Sequence, residues 1–300
     1  MMNIHGAIKS LLLTGCLSLL TPAYAVTNTP AHIYPCGIEI AAKIGNDLVA
    51  TLDPKFQKML NPEVVSMEQL EAPVIAPIRG NHRGLLCQLS VSTGFIDLLN
   101  HIAHAKAIDR LQPGYFRQYV AHLAQEGAND HPVLPPNLDD SRYWTDAVMQ
   151  DQASFFNQMI SITLALNLSH LYLDHYDKYA AHMPDGKPAL INNFVALDEW
   201  KASVKCATLN SLDCALATEG AEALFDCIDQ MPWRPAWTGY IVPQGVNIKK
   251  LNQQLSQYER DYYGGSPTFS QPRRTWRLPA SKDGSSAPLA AQQVAQLYKP

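Results

Sequence analysis

Two stretches of this chain carry imidazoles at helical spacing on otherwise apolar backgrounds, an inventory suited to metal-assisted hydrolysis. In FIDLLNHIAHAKAIDR, residues 95–110, Asp97, His101 and His104 recur at i, i+4 and i+7 and share a helical face with Ile108. In FFNQMISITLALNLSHLYLDHYDKY, residues 155–179, Asn167, His170 and Asp174 form one stripe, while Leu164, Leu168, Leu171 and His175 lean to the next. A catalytic zinc takes about three protein ligands and keeps one position for a water whose pKa falls to about 7. His101 and His104 can face one ion, and His170, Asp174 or His175 could supply the rest from the second helix. Iron or manganese is an alternative occupant of such a set. His170 with His175 alone is a poor pair, because i, i+5 on a continuous helix separates side chains by about 140°. Each histidine also has a structural reading, a core imidazole satisfied by hydrogen bonds. Asp97 with His101 reads equally as a simple carboxylate–histidine pair.

Other chemistries are less well supplied. Ser169 precedes His170, but no G-x-S-x-G elbow is present, which argues against a serine hydrolase. A di-metal helical bundle would use Glu-x-x-His on paired helices; His101 and His104 have that spacing without the glutamate. Trp233 and Trp237, set among prolines, read as packing residues before ligand-stacking ones.

These residues need elements to position them. Residues 37–52 have helical spacing at Ile40, Ile44 and Leu48. Cys87, Leu89 and Val91 alternate with Gln88, Ser90 and Ser92, a half-buried strand, and the apolar run 73–78 before it makes a hairpin through Gly80, Asn81 and Gly84. Ser92 or Thr93 caps the helix that follows, Pro113-Gly114 breaks it, and residues 115–125 resume it. Residues 127–142 form a loop rich in Pro, Asn and Asp, either a lid or an inserted connection. After the turn at residues 182–188, helical texture runs with interruption from Asp198 to Asp226, and a last amphipathic helix covers residues 249–262. Glu219, Glu222 and Asp226 share one face there, the pattern of a solvated acidic stripe.

The run Val91-Ser92-Thr93-Gly94-Phe95-Ile96-Asp97 followed by His101-Ile102-Ala103-His104-Ala105 resembles the strand end and metal helix of gluzincin metallopeptidases, the family of the CAAX prenyl protease and the heat-shock zinc proteases. That family shows a T-G-L-L-like segment, an H-E-x-x-H helix, and a ligand Glu on a later helix shortly before an Ala-Asp pair. The resemblance covers residues 60–180. It implies an α-rich metallopeptidase-like fold with His104 as second zinc histidine, residues 155–179 as the third-ligand helix and Asp177 at the family's Asp. The chain departs from the motif at three places: Asn100 stands at the first zinc histidine, His101 at the general-base Glu, and Leu173 at the third ligand, with Asp174 or His170 nearest to substitute. Peptide hydrolysis by a metal-bound water is one expectation; a catalytically inactive peptidase-fold module that binds or assembles envelope proteins is the other.

Composition limits the classes further. With 47% hydrophobic and 17% charged residues in 300, the chain describes an ordinary globular protein. A formal charge of −4 and no basic block exclude a nucleic-acid binder. Residues 1–25 combine Lys9, an apolar run and Ala23-Tyr24-Ala25, a secretory signal cleaved after Ala25; Leu13-Thr14-Gly15-Cys16 resembles a lipobox and would instead leave a lipid tether on Cys16. No other run approaches the roughly 18 apolar residues of a membrane span. The protein is therefore expected to be periplasmic or secreted, with a peptide, a protein substrate or an envelope protein as partner. The expected disulfides join Cys36 to Cys87 and two of Cys206, Cys214 and Cys227. The expected organisation is a signal peptide at 1–25, one predominantly α-helical α+β domain at 26–263 and a polar tail at 264–300.

Overall fold

Ser92 ends a strand and starts a helix, and this corner fixes the core. Its hydroxyl accepts from the Val74 and Phe95 N–H groups at 2.8 and 3.0 Å and donates to the Ala72 carbonyl at 2.7 Å. One side chain thus caps the helix and pins the preceding hairpin, as an N-cap serine should. Gly94 sits under that hairpin so tightly that a Cβ would stand 1.7 Å from the Glu71 carbonyl oxygen, leaving room only for glycine.

A computed structural model describes residue 34 and residues 36–78, 87–126, 132–179 and 190–264. The expected signal segment 1–25, the hairpin turn and nearly all of the expected tail lie outside these residues. Among the described residues, β1 (Leu60–Glu68), β2 (Ile75–Ile78) and β3 (Cys87–Ser92) form a sheet in the order β1-β3-β2. β2 and β3 pair antiparallel as the alternation predicts, with Ile75 opposite Val91 and Pro77 opposite Leu89. β1 adds a parallel edge, with Val65 opposite Leu89 and Met67 opposite Val91. Pro62 and Pro77 fall on the two edge strands, where a missing N–H costs the ladder least and discourages further pairing.

The helices are α1 (Gly37–Thr51), α2 (Pro54–Gln57), α3 (Thr93–Leu111), α4 (Tyr115–Glu126), α5 (Asp146–Tyr172), α6 (His175–Lys178), α7 (Leu197–Asp213), α8 (Glu219–Gln230) and α9 (Ile248–Tyr262). The fold is predominantly α-helical α+β with a small sheet. α1 buries Ala41, Ile44, Leu48 and Val49 and approaches β1 so closely that a Cβ on Gly45 would meet Val65 at 2.5 Å. α3 and α5 are the central pair. α3 is buried from Thr93 to Ala105, and α5 without a break from Phe155 to Tyr172. A helix buried on all sides has no solvent face, so its polar residues must find partners inside. Most do: Gln152 donates to Asn100 Oδ1 at 2.7 Å, Ser161 to Ser211 Oγ at 2.8 Å, and Asn167 to the Thr163 and Tyr240 carbonyls, while His101 Nδ1 and Asn157 Oδ1 have no partner among the described residues.

Three expectations change. The five described cysteines form no disulfide, so neither Cys36–Cys87 nor a pair among Cys206, Cys214 and Cys227 is present. The acidic face of α8 is no solvated stripe: Glu222 and Asp226 are partly buried against α9, receiving hydrogen bonds from Ser256 and Asn252. The described part of the proline-rich loop is also tied down. Its carbonyls accept from Tyr119 (at Val133), Tyr115 (at Pro136) and Trp144 (at Leu138) at 3.1, 2.5 and 2.6 Å. A segment short of regular backbone pairing must satisfy its buried carbonyls with side chains, and this strap is built that way. Among the described residues no helix is long and apolar enough to cross a membrane.

Candidate functional site

His104 lies in the middle of α3 with no exposed surface. Its Nε2 is 2.8 Å from the Tyr143 carbonyl and its Nδ1 is 2.8 Å from the Tyr34 hydroxyl. A carbonyl only accepts, so Nε2 carries the proton; Nδ1 is then the acceptor for the Tyr34 O–H. Burial holds the imidazole neutral, with a pKa lowered to about 4. Trp144 stacks edge-on at 4.8 Å and Tyr34 at 5.6 Å between ring centroids, closing the remaining approach. His101, one turn earlier and equally buried, lies against the Val133 backbone, while its Nδ1 has no partner among the described residues. Burial, then repulsion from His104, lowers its pKa to about 3. His104 therefore holds the strap through the Tyr143 carbonyl, with His101 packed against the same segment at Val133.

The second pair straddles the end of α5, His170 in its last turn and His175 just past it. The helix stops at Tyr172, Asp174 takes a left-handed conformation (φ 57°), and α6 begins at His175. This corner folds His175 back against the last turn of α5, so that the two Nδ1 atoms stand 2.8 Å apart. The 140° separation expected on a continuous helix does not apply once the helix is broken. His170 Nε2 is 3.0 Å from Asn192 Oδ1, and the Asn192 amide N–H donates to the Gly239 carbonyl at 3.0 Å. The direction of the chain follows from its fixed end. Gly239 can only accept, so the amide oxygen faces His170, and His170 Nε2 must carry a proton. Burial, then the neighbouring His175, lowers the His170 pKa to about 3, so its Nδ1 is bare and accepts from His175 Nδ1–H. His175 Nε2 is left as an acceptor. Burial lowers the pKa of His175 as well, opposed by Glu199 and Asp174 and aided by Lys178.

The sequence placed His101, His104, His170, Asp174 and His175 around one ion. The structure keeps the four histidines as two pairs that share no hydrogen-bond partner among the described residues. Gln152 near the start of α5 is what meets Asn100, and His170 lies about 27 Å further along the same helix at 1.5 Å per residue. Asp174 is exposed and contributes the turn. Asn100, at the position of the first zinc histidine, donates to the Ile96 carbonyl and accepts from Gln152. Leu173, at the third-ligand position, packs partly buried against the core. Among the described residues no three His, Cys, Asp or Glu side chains are grouped to hold a metal. Each pair has one ring nitrogen uncommitted, and one imidazole is short of the three ligands a catalytic zinc takes; the residues do not fit zinc at the expected place.

The chain matches no family model, no curated protein and no solved structure. The residues that sequence reasoning missed are Tyr34, Tyr143 and Asn192, all remote in sequence from the histidines they hold, and Gly239, which holds Asn192. Only the Pro/Asn-rich texture around Tyr143 hinted at a segment in need of side-chain hydrogen bonds.

Proposed function

We propose that the protein is an exported, non-catalytic binding or envelope-assembly module whose order of elements resembles a gluzincin peptidase. One observation carries this reading: both ring nitrogens of His104, the residue the resemblance would make a zinc ligand, are committed to Tyr34 and Tyr143 in a single tautomer. A ligand histidine needs a free nitrogen aimed at the ion, and its other N–H directed outward to a supporting acceptor. His104 instead spends both nitrogens holding the core to the strap.

The test is hydrolysis by the purified protein. Quenched peptide libraries with added zinc should show no turnover above a heat-treated control, and chelator should change nothing. Chelator-sensitive cleavage that disappears in His104→Ala would overturn the reading. Export is tested by fractionation, with mature protein beginning after Ala25; acylation lost in Cys16→Ala would show a lipid tether instead.

A hydrolytic reading has one observation in its favour. The chain Gly239–Asn192–His170–His175 orients an imidazole and leaves His175 Nε2 bare, as a general base requires. Cleavage of any ester or amide library that is abolished by His175→Ala, and retained by His104→Phe, would favour it over the binding module.

A further inference from the structure

The tryptophans set among prolines split in the structure. Trp237 is packed at 2% exposure, whereas Trp233 is 42% exposed and walls a surface groove of about 390 Å3. The lining also includes one stripe of α4, Arg117, Val120, Ala121, Ala124 and Gln125, at i, i+3, i+4, i+7 and i+8. Val120 and Ala124 form an apolar floor, Pro232 lies beside the indole, and Gln125 and Gln230 add amides.

Arg117 is set apart by what it lacks. Arg110 bonds to Asp151 and Glu219, Arg142 to Asp140, Arg234 to the carbonyls of Pro243 and Val246, and Arg260 to Gln257. Arg117 has no such partner among the described residues, and it lines the groove. A guanidinium is a fork built for carboxylates, and an open indole beside an apolar floor takes aliphatic or prolyl side chains.

We propose that this groove binds an extended peptide segment of a partner protein in which a carboxylate lies close to a proline or aliphatic residue. The carboxylate pairs with Arg117, the apolar side chain fills the space between Trp233 and α4, and Gln125 and Gln230 meet the peptide backbone. The volume suits a few side chains, at the low end for binding clefts, and aromatic-walled grooves are a recurring way to dock extended proline-bearing chains. The proposal rests on the binding-module reading and names the class of its ligand.

The experiment is selection of displayed random heptapeptides on the full mature protein, with counter-selection on Trp233→Ala, followed by fluorescence anisotropy of the selected peptides. Enriched sequences should pair Asp or Glu with Pro, Leu, Ile or Val, bind with micromolar Kd, and lose about tenfold or more in Trp233→Ala and in Arg117→Ala. Arg117→Glu should shift the preference from acidic to basic peptides, a reversal that a merely structural arginine would not produce. Both side chains are exposed, and unchanged thermal melts show that the variants fold. Absence of enrichment against Trp233→Ala, basic peptides on the wild type, or equal binding by the variants would overturn the proposal. Those results leave the binding-module reading standing; cleavage of the peptides would overturn that reading instead.

Discussion

Which proton sits on which nitrogen decides what these histidines can do. The Asn192 amide fixes His170, and the Tyr143 carbonyl fixes His104. Asn192→Leu would leave the His170 N–H and the Gly239 carbonyl buried without partners. Its expected cost is about 2–4 kcal/mol in urea unfolding, at one to three for each orphaned group less relaxation. Tyr34→Phe should cost less, about 1–2 kcal/mol, because it removes the hydroxyl that His104 Nδ1 accepts from and leaves the other side of that imidazole bonded to Tyr143. Sequence reasoning named all four histidines and misjudged their partnership. Periodicity makes His170–His175 a poor pair, yet they touch, because Asp174 is a non-glycine residue in a left-handed conformation that no spacing rule announces. Ser92 was legible for the opposite reason: an N-cap is a local signal, read from a hydroxyl directly before a helical run.

At the scale of elements, α3 and α5 were visible as helices but not as the buried pair at the centre. Stripe arguments assume one wet and one dry face, and these helices have none, so the Asp97–His101–His104 stripe carried no information about solvent. β3 was read from its alternation; β1 was missed because Pro62, Asn61 and Glu63 mask a strand whose pairing partner lies across a parallel crossover. The corner at Ser92 leaves Gly94, the second residue of α3, no room for a side chain. Gly94→Ala places a methyl 1.7 Å from the Glu71 oxygen and should cost more than about 3 kcal/mol, read as a loss of cooperative melting or of soluble yield. The α8–α9 seam behaves differently. Thr218 has one hydroxyl proton for Glu259 at 2.5 Å and Glu222 at 3.1 Å, and burial followed by the charges of Glu259 and Asp226 raises the Glu222 carboxyl above its ordinary range. A raised carboxyl stabilises at low pH and loses that contribution as pH climbs, so Glu222→Gln should melt higher than wild type at pH 8 and level with it at pH 4.

Across the whole molecule, three neutral histidines govern the response to acid. His101, His104 and His170 have pKa values lowered from 6.5 to about 3, 4 and 3. The unfolded chain takes up these protons below pH 6.5 and the folded chain does not. Their contribution is therefore intact above pH 6.5 and is lost as pH falls toward 4, at a slope approaching about 4 kcal/mol per pH unit for three protons. Urea midpoints measured from pH 7 to pH 4 should fall steeply, and His104→Phe should flatten the slope by about a third even if it lowers the midpoint at pH 7.

The commitment of these imidazoles to hydrogen bonds is tested most directly by long-range 1H–15N correlation spectra of the histidine rings at pH 7, with and without one equivalent of zinc. The expected spectra show neutral His104 and His170 as Nε2–H tautomers and His175 as the Nδ1–H tautomer, with His104 and His170 unmoved by zinc. A metal-coordination shift at His104 or His170, or the opposite tautomer at either, would contradict the structural role assigned to them.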